Sequence, residues 1–120
     1  MSNENKTRLV ILISGRGSNM RSIIEAIDAQ QIDATVSAVI SNRPDAAGLD
    51  YAKAQSITTA VVDHKTFSDR DSFDKALAER IDDYKPDFVI LAGFMRILTS
   101  GFVEHYRNKL INIHPSLLPK

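Results

Sequence analysis

Cysteine and tryptophan are absent from this chain of 120 residues. Without cysteine the chain cannot form disulfides, thiolate nucleophiles, iron–sulfur clusters or cysteine zinc sites, and this composition is compatible with a cytoplasmic protein. An excess of charge of one sign is also absent, because 15 basic side chains balance 15 acidic ones. No global positive field is therefore available to hold nucleic acid or an anionic membrane. We expect any anion to be bound locally.

Long apolar runs are missing as well. The run Leu9–Ile13 is too short for a signal sequence, and the overall composition argues against a membrane span. We interpret residues 1–7 as a polar tail and residues 8–120 as part of one folded domain. No pair of histidines at helical spacing and no carboxylate cluster offers metal-ligand spacing, so we expect no metal.

What the sequence does contain is an alternation of apolar strands with helical segments. The run LVILI is continuously apolar, which is typical of a strand that is covered on both faces of a parallel sheet. The strands are predicted at 9–13, 35–41, 59–62, 87–92 and 110–113, and the helices around 20–27, 46–55, 69–84 and 102–106. This order predicts an α/β fold, a Rossmann-like open parallel sheet with helices on both faces.

Three polar or glycine-bearing segments each follow an apolar strand: 14–19, 93–96 and 114–116. In open parallel sheets, ligands bind beyond the carboxyl ends of the strands. We therefore expect these three segments to converge at one edge of the sheet and to form the site.

The first segment, SGRGSN at 14–19, opens a helix that Ser18 or Asn19 could cap. Its glycines can bring backbone N–H groups close to a phosphate at the positive end of the helix dipole. A P-loop would require Gly-Lys-Ser/Thr, and a dinucleotide fingerprint would require a third glycine where Met20 stands. Arg43 could still bind an NADP 2′-phosphate, so an NADP-binding oxidoreductase half-domain remains an alternative. A non-catalytic nucleotide-binding module is a second alternative.

The other two segments carry candidate chemistry. Asn112 and His114 fall on the same face of a strand, where an amide can stabilise an oxyanion and an imidazole can move a proton. Residues 93–98, GFMRIL, could line a slot for a flat heterocycle, although core packing would also explain the apolar side chains. His64 and His105 lie in turn-like and surface-helical contexts without converging polar groups, and we assign them no role.

Together, SGRGSN, LAGFMRIL at 91–98 and NIHPSLLP at 112–119 closely resemble the folate-dependent glycinamide ribonucleotide formyltransferases of purine biosynthesis. The resemblance implies transfer of a formyl group from 10-formyltetrahydrofolate, a co-substrate, to the amine of glycinamide ribonucleotide. No metal, nucleic acid or membrane is implied.

The resemblance also implies roles for individual residues. Gly17, Ser18 and Asn19 would hold the ribonucleotide phosphate, and Asn112 and His114 would be the catalytic pair. The residues implied in folate binding are Arg70, Met95, Arg96, Ile97, Leu98 and Asn112.

One departure from the family pattern concerns its third catalytic residue, an aspartate that pairs with the histidine and lies well beyond HPSLLP. A carboxylate there orients the imidazole and favours its charged form. We therefore expect residues 8–120 to be the nucleotide-binding portion of a single formyltransferase domain, truncated after the active-site loop. The 120 residues alone are expected to be inactive.

Overall fold

The structure is a computed structural model, and it describes residues 6–113 of the chain. The strands are β1 (Thr7–Ile13), β2 (Ala34–Ser41), β3 (Thr59–Val61), β4 (Phe88–Ala92) and β5 (Leu110–Ile113). The helices are α1 (Ser18–Asp28), α2 (Ala47–Ala54), α3 (Arg70–Asp83) and α4 (Ser100–His105), and a short 3₁₀ turn covers His64–Thr66.

The five strands form one sheet in the order β3-β2-β1-β4-β5, and every neighbouring pair is parallel. This confirms the predicted Rossmann-like open sheet. The chain moves from β1 outwards to β2 and β3, then returns to the other side of β1 for β4 and β5. The connections therefore diverge between β1 and β4, and such a switch point leaves a crevice at the carboxyl ends of the strands.

The continuous apolar run of β1 is explained by burial on both faces of the sheet. Val10 and Leu12 belong to the core under α3 and α4, whereas Leu9, Ile11 and Ile13 belong to the core under α1 and α2. Alternate side chains of a strand point to opposite faces, so a strand covered on both sides has no position for a polar residue.

The helices supply the outer layer of each core through their apolar faces. Phe73, Leu77 and Ile81 of α3 are at most 1% exposed, and Met20 and Ile24 of α1 are at most 3% exposed. The longest helix, α3, has 14 residues, and no helix within residues 6–113 is both long and apolar enough to cross a membrane.

Two details differ from the sequence interpretation. Thr7, assigned to the polar tail, is the first residue of β1 and pairs with Ala34. The prediction that Ser18 or Asn19 caps α1 is wrong, because the N-cap residue is Gly17, whose lack of a side chain rules out a side-chain cap. Ser18 already has helical geometry as the first residue of α1.

Candidate functional site

The glycine loop between β1 and α1 presents an uncapped helix N-terminus. Gly17 has φ 71° and ψ 40°, a left-handed conformation that costs glycine little and other residues more. Within the described residues no side chain caps α1, and its first turn carries no acidic residue. The first N–H groups of a helix have no intrahelical acceptor, so this end is suited to binding an anion.

Gly48, in the first turn of α2, holds that helix against the glycine loop, and the sequence interpretation missed it. Its N–H donates to the Gly15 carbonyl oxygen at 3.0 Å. A Cβ at Gly48 would lie 2.6 Å from Ile13 Cδ1 and 2.9 Å from the Arg16 carbonyl oxygen, so only glycine fits without displacement. The available signal was a glycine in a helix, where it is intrinsically unfavourable and needs a packing reason.

The glycine loop is joined to the segment after β4 by a direct hydrogen bond. The Met95 N–H donates to Ser14 Oγ at 2.8 Å, although the two residues are 81 positions apart. The pairing of Leu12 with Leu91 places the two strands in register just before these loops. The predicted convergence of segments 14–19 and 93–96 is therefore confirmed, and they meet where β1 and β4 diverge.

A second hydrogen bond joins the first turn of α1 to the end of β5. The Asn19 side-chain amide donates to the Ile113 carbonyl oxygen at 3.2 Å. Asn112 pairs with Leu91 in the sheet and has an exposed side chain. His114, and with it the third predicted segment 114–116, lies outside the described residues. The structure thus brings the strand that leads to His114 against the start of α1.

The segment 93–98 is more exposed than a core segment would be. The exposed fractions are 69% for Met95 and 73% for Ile97, whereas Leu98 packs partly against the core under α3 and α4. Core packing therefore explains Leu98 but not Met95 or Ile97. The guanidinium carbon of Arg96 lies 5.3 Å from the centre of the Phe73 ring, so this side chain lies against α3.

Arg70, the first residue of α3, has an exposed side chain three positions before Phe73, which contacts Arg96. Arg70 therefore belongs to the same first turn of α3 as Phe73. The helix start is fixed by Asp69, whose carboxylate accepts the Ser72 N–H at 2.7 Å. This hydrogen bond lowers the pKa of Asp69 and keeps the cap ionised.

His64 and His105, whose local sequence shows no converging polar groups, each have a polar partner in the structure. His64 Nδ1 lies 2.9 Å from the Asn42 carbonyl oxygen, and His105 Nε2 lies 2.8 Å from Asp82 Oδ2. Both partners come from other segments of the chain, which the local sequence does not reveal.

Arg43, the residue that the NADP alternative requires, is paired with Asp45 at 3.2 Å. The two residues border a cavity of about 220 Å³ beside the glycine loop, which Ser14, Gly15 and Arg16 also line. In the part of the chain that the structure describes, no three His, Asp or Glu side chains are grouped so that they could hold a metal ion.

The sequence and the fold of this chain are both similar to those of known formyltransferases. The formyl transferase family matches residues 7–120. The chain is 51% identical over 112 residues to the phosphoribosylglycinamide formyltransferase of Escherichia coli strain K12, which covers 93% of this chain and 53% of that protein. It is 44% identical over 114 residues to the human trifunctional purine biosynthetic protein adenosine-3, covering 95% of this chain and 11% of that protein.

Among solved structures, the phosphoribosylglycinamide formyltransferase of Coxiella burnetii superposes with a TM-score of 0.91 at 46% identity. That match covers 97% of this chain and 55% of the other. The chain thus spans about half the length of the bacterial proteins it resembles.

Proposed function

Since the chain belongs to the formyl transferase family, we propose that the protein containing it transfers a formyl group from 10-formyltetrahydrofolate to the primary amine of glycinamide ribonucleotide, in de novo purine biosynthesis. Residues 8–120 are its nucleotide-binding portion. The observation that carries this proposal is the glycine loop with the first turn of α1, because their hydrogen bonds reach both the segment after β4 and the end of β5. A phosphate at this loop would lie beside both other parts of the site.

Gly17, Ser18 and Asn19 hold the ribonucleotide phosphate through backbone N–H groups at the start of α1. The uncapped helix end and the left-handed Gly17 support this assignment. The Asn19 side-chain amide donates to Ile113, so we assign its contribution to the phosphate to the backbone.

The formyl donor binds along segment 93–98. The exposed Met95 and Ile97 side chains offer apolar surface to a flat heterocycle, and Leu98 supports them from the core. Arg96 contributes through its main chain, because its guanidinium lies over Phe73. Arg70 at the start of α3 and Asn112 on β5 complete the folate side.

The reaction requires an oxyanion stabiliser and a group that moves a proton. The amine nitrogen forms a bond to the formyl carbon, and the carbonyl oxygen becomes an oxyanion that the Asn112 amide stabilises by donating a hydrogen bond. The bond from the formyl carbon to the folate nitrogen then breaks. His114 assists transfer of the proton from the attacking amine to the departing nitrogen, which leaves as tetrahydrofolate.

Both substrates are small molecules, and 10-formyltetrahydrofolate is consumed as a co-substrate. We propose a cytoplasmic protein that acts without a metal, a nucleic acid or a membrane. The NADP alternative is less well supported because Arg43 is paired with Asp45 and the chain belongs to a formyl transferase family.

The test is a formyl-transfer assay on the complete polypeptide that contains these residues. With glycinamide ribonucleotide and 10-formyltetrahydrofolate, we expect one formylated ribonucleotide for each tetrahydrofolate released. Thermal stabilisation by NADPH without formyl transfer would instead support an oxidoreductase. Ribonucleotide binding without transfer would support a nucleotide-binding module.

A further inference from the structure

Three polar side chains form a hydrogen-bonded chain beneath the crevice. The Ser14 hydroxyl donates to Asn42 Oδ1 at 2.6 Å and accepts from the Met95 N–H at 2.8 Å. Asn42 Nδ2 lies 3.3 Å from His64 Nδ1. These contacts connect the residue after β1, the residue after β2, the 3₁₀ turn after β3 and the segment after β4. We call these three side chains, Ser14, Asn42 and His64, the polar relay.

The hydrogen bonds of the polar relay are constrained because two of its side chains are buried. Ser14 is 3% exposed and Asn42 is 2% exposed, so neither can replace a lost partner with bulk water. Because Ser14 donates to the side-chain oxygen of Asn42, Oδ1, the side-chain amino group of Asn42 must face His64. The Ser14 hydroxyl has one proton, which it uses on Asn42, and this leaves its lone pairs for Met95.

His64 contacts Asn42 in either tautomer of the imidazole: an unprotonated Nδ1 holds the Asn42 side chain, and a protonated Nδ1 holds the Asn42 backbone. With Nδ1 unprotonated, it accepts from Asn42 Nδ2 at 3.3 Å. With Nδ1 protonated, it donates to the Asn42 backbone carbonyl oxygen at 2.9 Å. The imidazole is only half-buried, so it can be changed without opening the core.

We propose that Ser14, Asn42 and His64 are positioning residues for the formyl-donor side of the site: the polar relay fixes the Met95 N–H and thereby the backbone of segment 93–98. The proposal rests on the function proposed above. None of the three side chains needs to touch a substrate, because they act through the main chain of Met95.

Segment 93–98 is held through the side chains of Phe94, Arg96 and Leu98, whereas the hydrogen bond from the Met95 N–H to Ser14 Oγ holds its main chain. Phe94 is 6% exposed and is anchored in the core, whereas Met95 and Ile97 expose most of their surface. Further along, the Thr99 N–H is held by Asp74 at 2.7 Å. Between those two anchors, the bond from Met95 to Ser14 sets where the main chain lies.

The first test is steady-state kinetics of Ser14→Ala in the complete polypeptide. Loss of the buried acceptor for Met95 should raise KM for 10-formyltetrahydrofolate about tenfold, while KM for glycinamide ribonucleotide changes less than about twofold. Equal effects on both KM values in a folded variant would overturn the assignment to the donor side.

The second test separates hydrogen bonding at His64 from space filling. His64→Asn keeps a polar atom bonded to Cγ, at the position of Nδ1 in histidine. This variant should retain a KM for the formyl donor close to that of the wild type. His64→Leu fills the same space without a polar atom and should raise that KM. His105→Leu, which removes a histidine paired with Asp82 elsewhere, is the matched control and should leave it unchanged. Equal behaviour of the Asn and Leu variants at position 64 would contradict the proposal.

The hydrogen-exchange rate of the Met95 amide tests the polar relay without depending on enzyme activity. In Ser14→Ala, the Met95 amide should exchange at least about tenfold faster than in the wild type. The Thr99 amide, which is bound to Asp74, serves as the internal reference. If Ser14→Ala does not fold, His64→Leu is measured in its place. If the wild type transferred no formyl group, the proposed function would fail, and this measurement would still decide the positioning. Unchanged exchange at Met95 would refute it.

Discussion

Gly17 shows how one residue determines what the first loop can bind. Its left-handed backbone turns the chain from β1 into α1, and as the N-cap it leaves that position without a side chain. A serine or aspartate N-cap would place its own oxygen over the first N–H groups of the helix. Glycine leaves those groups accessible to an external anion.

Replacing Gly17 with alanine should therefore weaken ribonucleotide binding. A Cβ at this φ of +71° is strained, and it would lie 3.0 Å from Met20 Cε. We expect the dissociation constant of glycinamide ribonucleotide, measured by calorimetric titration of the complete polypeptide, to rise about tenfold.

Gly15→Ala is the matched control, because among residues 6–113 a Cβ there meets nothing within 4 Å. It should have a clearly smaller effect on the same dissociation constant. If both variants bound the ribonucleotide as tightly as the wild type, the phosphate would not lie at Gly17.

At the scale of single residues, the sequence predicted the residues of the site better than the residues that hold them in place. The motif at 14–19 and the segment 93–98 were found because local composition marks them. Asn42 and His64 were not found as a pair, since the contacts that matter join residues 22 and 28 positions apart. The capping role predicted for Asn19 failed because Gly17 occupies the N-cap position, and the Asn19 side-chain amide instead donates to the carbonyl oxygen of Ile113, 94 positions away.

At the scale of elements, the hydrophobic pattern predicted the strands and α-helices of residues 6–113 to within one or two residues. The observed β5 spans Leu110–Ile113, as predicted, and α3 spans Arg70–Asp83 against a predicted 69–84. The helix α3 is well marked because it buries an apolar face of helical period, whereas β5 is marked by its short apolar run and has no fully buried residue. The close approach of α2 to the glycine loop was not predicted, because it depends on a backbone contact between two elements.

Gly48 offers a test of that approach. Gly48→Ala should lower the melting temperature by a few degrees, although alanine is the better helix former, because the new Cβ would push into Ile13 and the loop carbonyls. KM for glycinamide ribonucleotide should rise as the loop shifts. Thermal unfolding and kinetics of the complete polypeptide measure both effects.

Gly101 provides the control, since it lies in the first turn of α4 and, in the described part of the chain, a Cβ there would approach only Thr99 Oγ1, at 3.9 Å. Gly101→Ala should leave the melting temperature unchanged or raise it. A Gly48→Ala variant as stable as Gly101→Ala would show that α2 does not need this contact.

At the scale of the whole molecule, the sheet order explains why distant motifs form one site. The divergence between β1 and β4 opens a crevice, and the polar segments that follow these strands are brought together there. The sequence predicted the alternation of strands and helices and the shared edge. The side-chain links across that edge required the packed structure, because they depend on strand order and register.

The most direct test is a crystal structure of the complete polypeptide with glycinamide ribonucleotide and a non-transferable analogue of 10-formyltetrahydrofolate. We predict that the ribonucleotide phosphate binds the N–H groups of Gly17, Ser18 and Asn19. We predict the folate heterocycle against the main chain of 95–98, with the formyl group beside Asn112. A phosphate bound away from the start of α1, or a heterocycle that does not contact segment 93–98, would contradict these predictions.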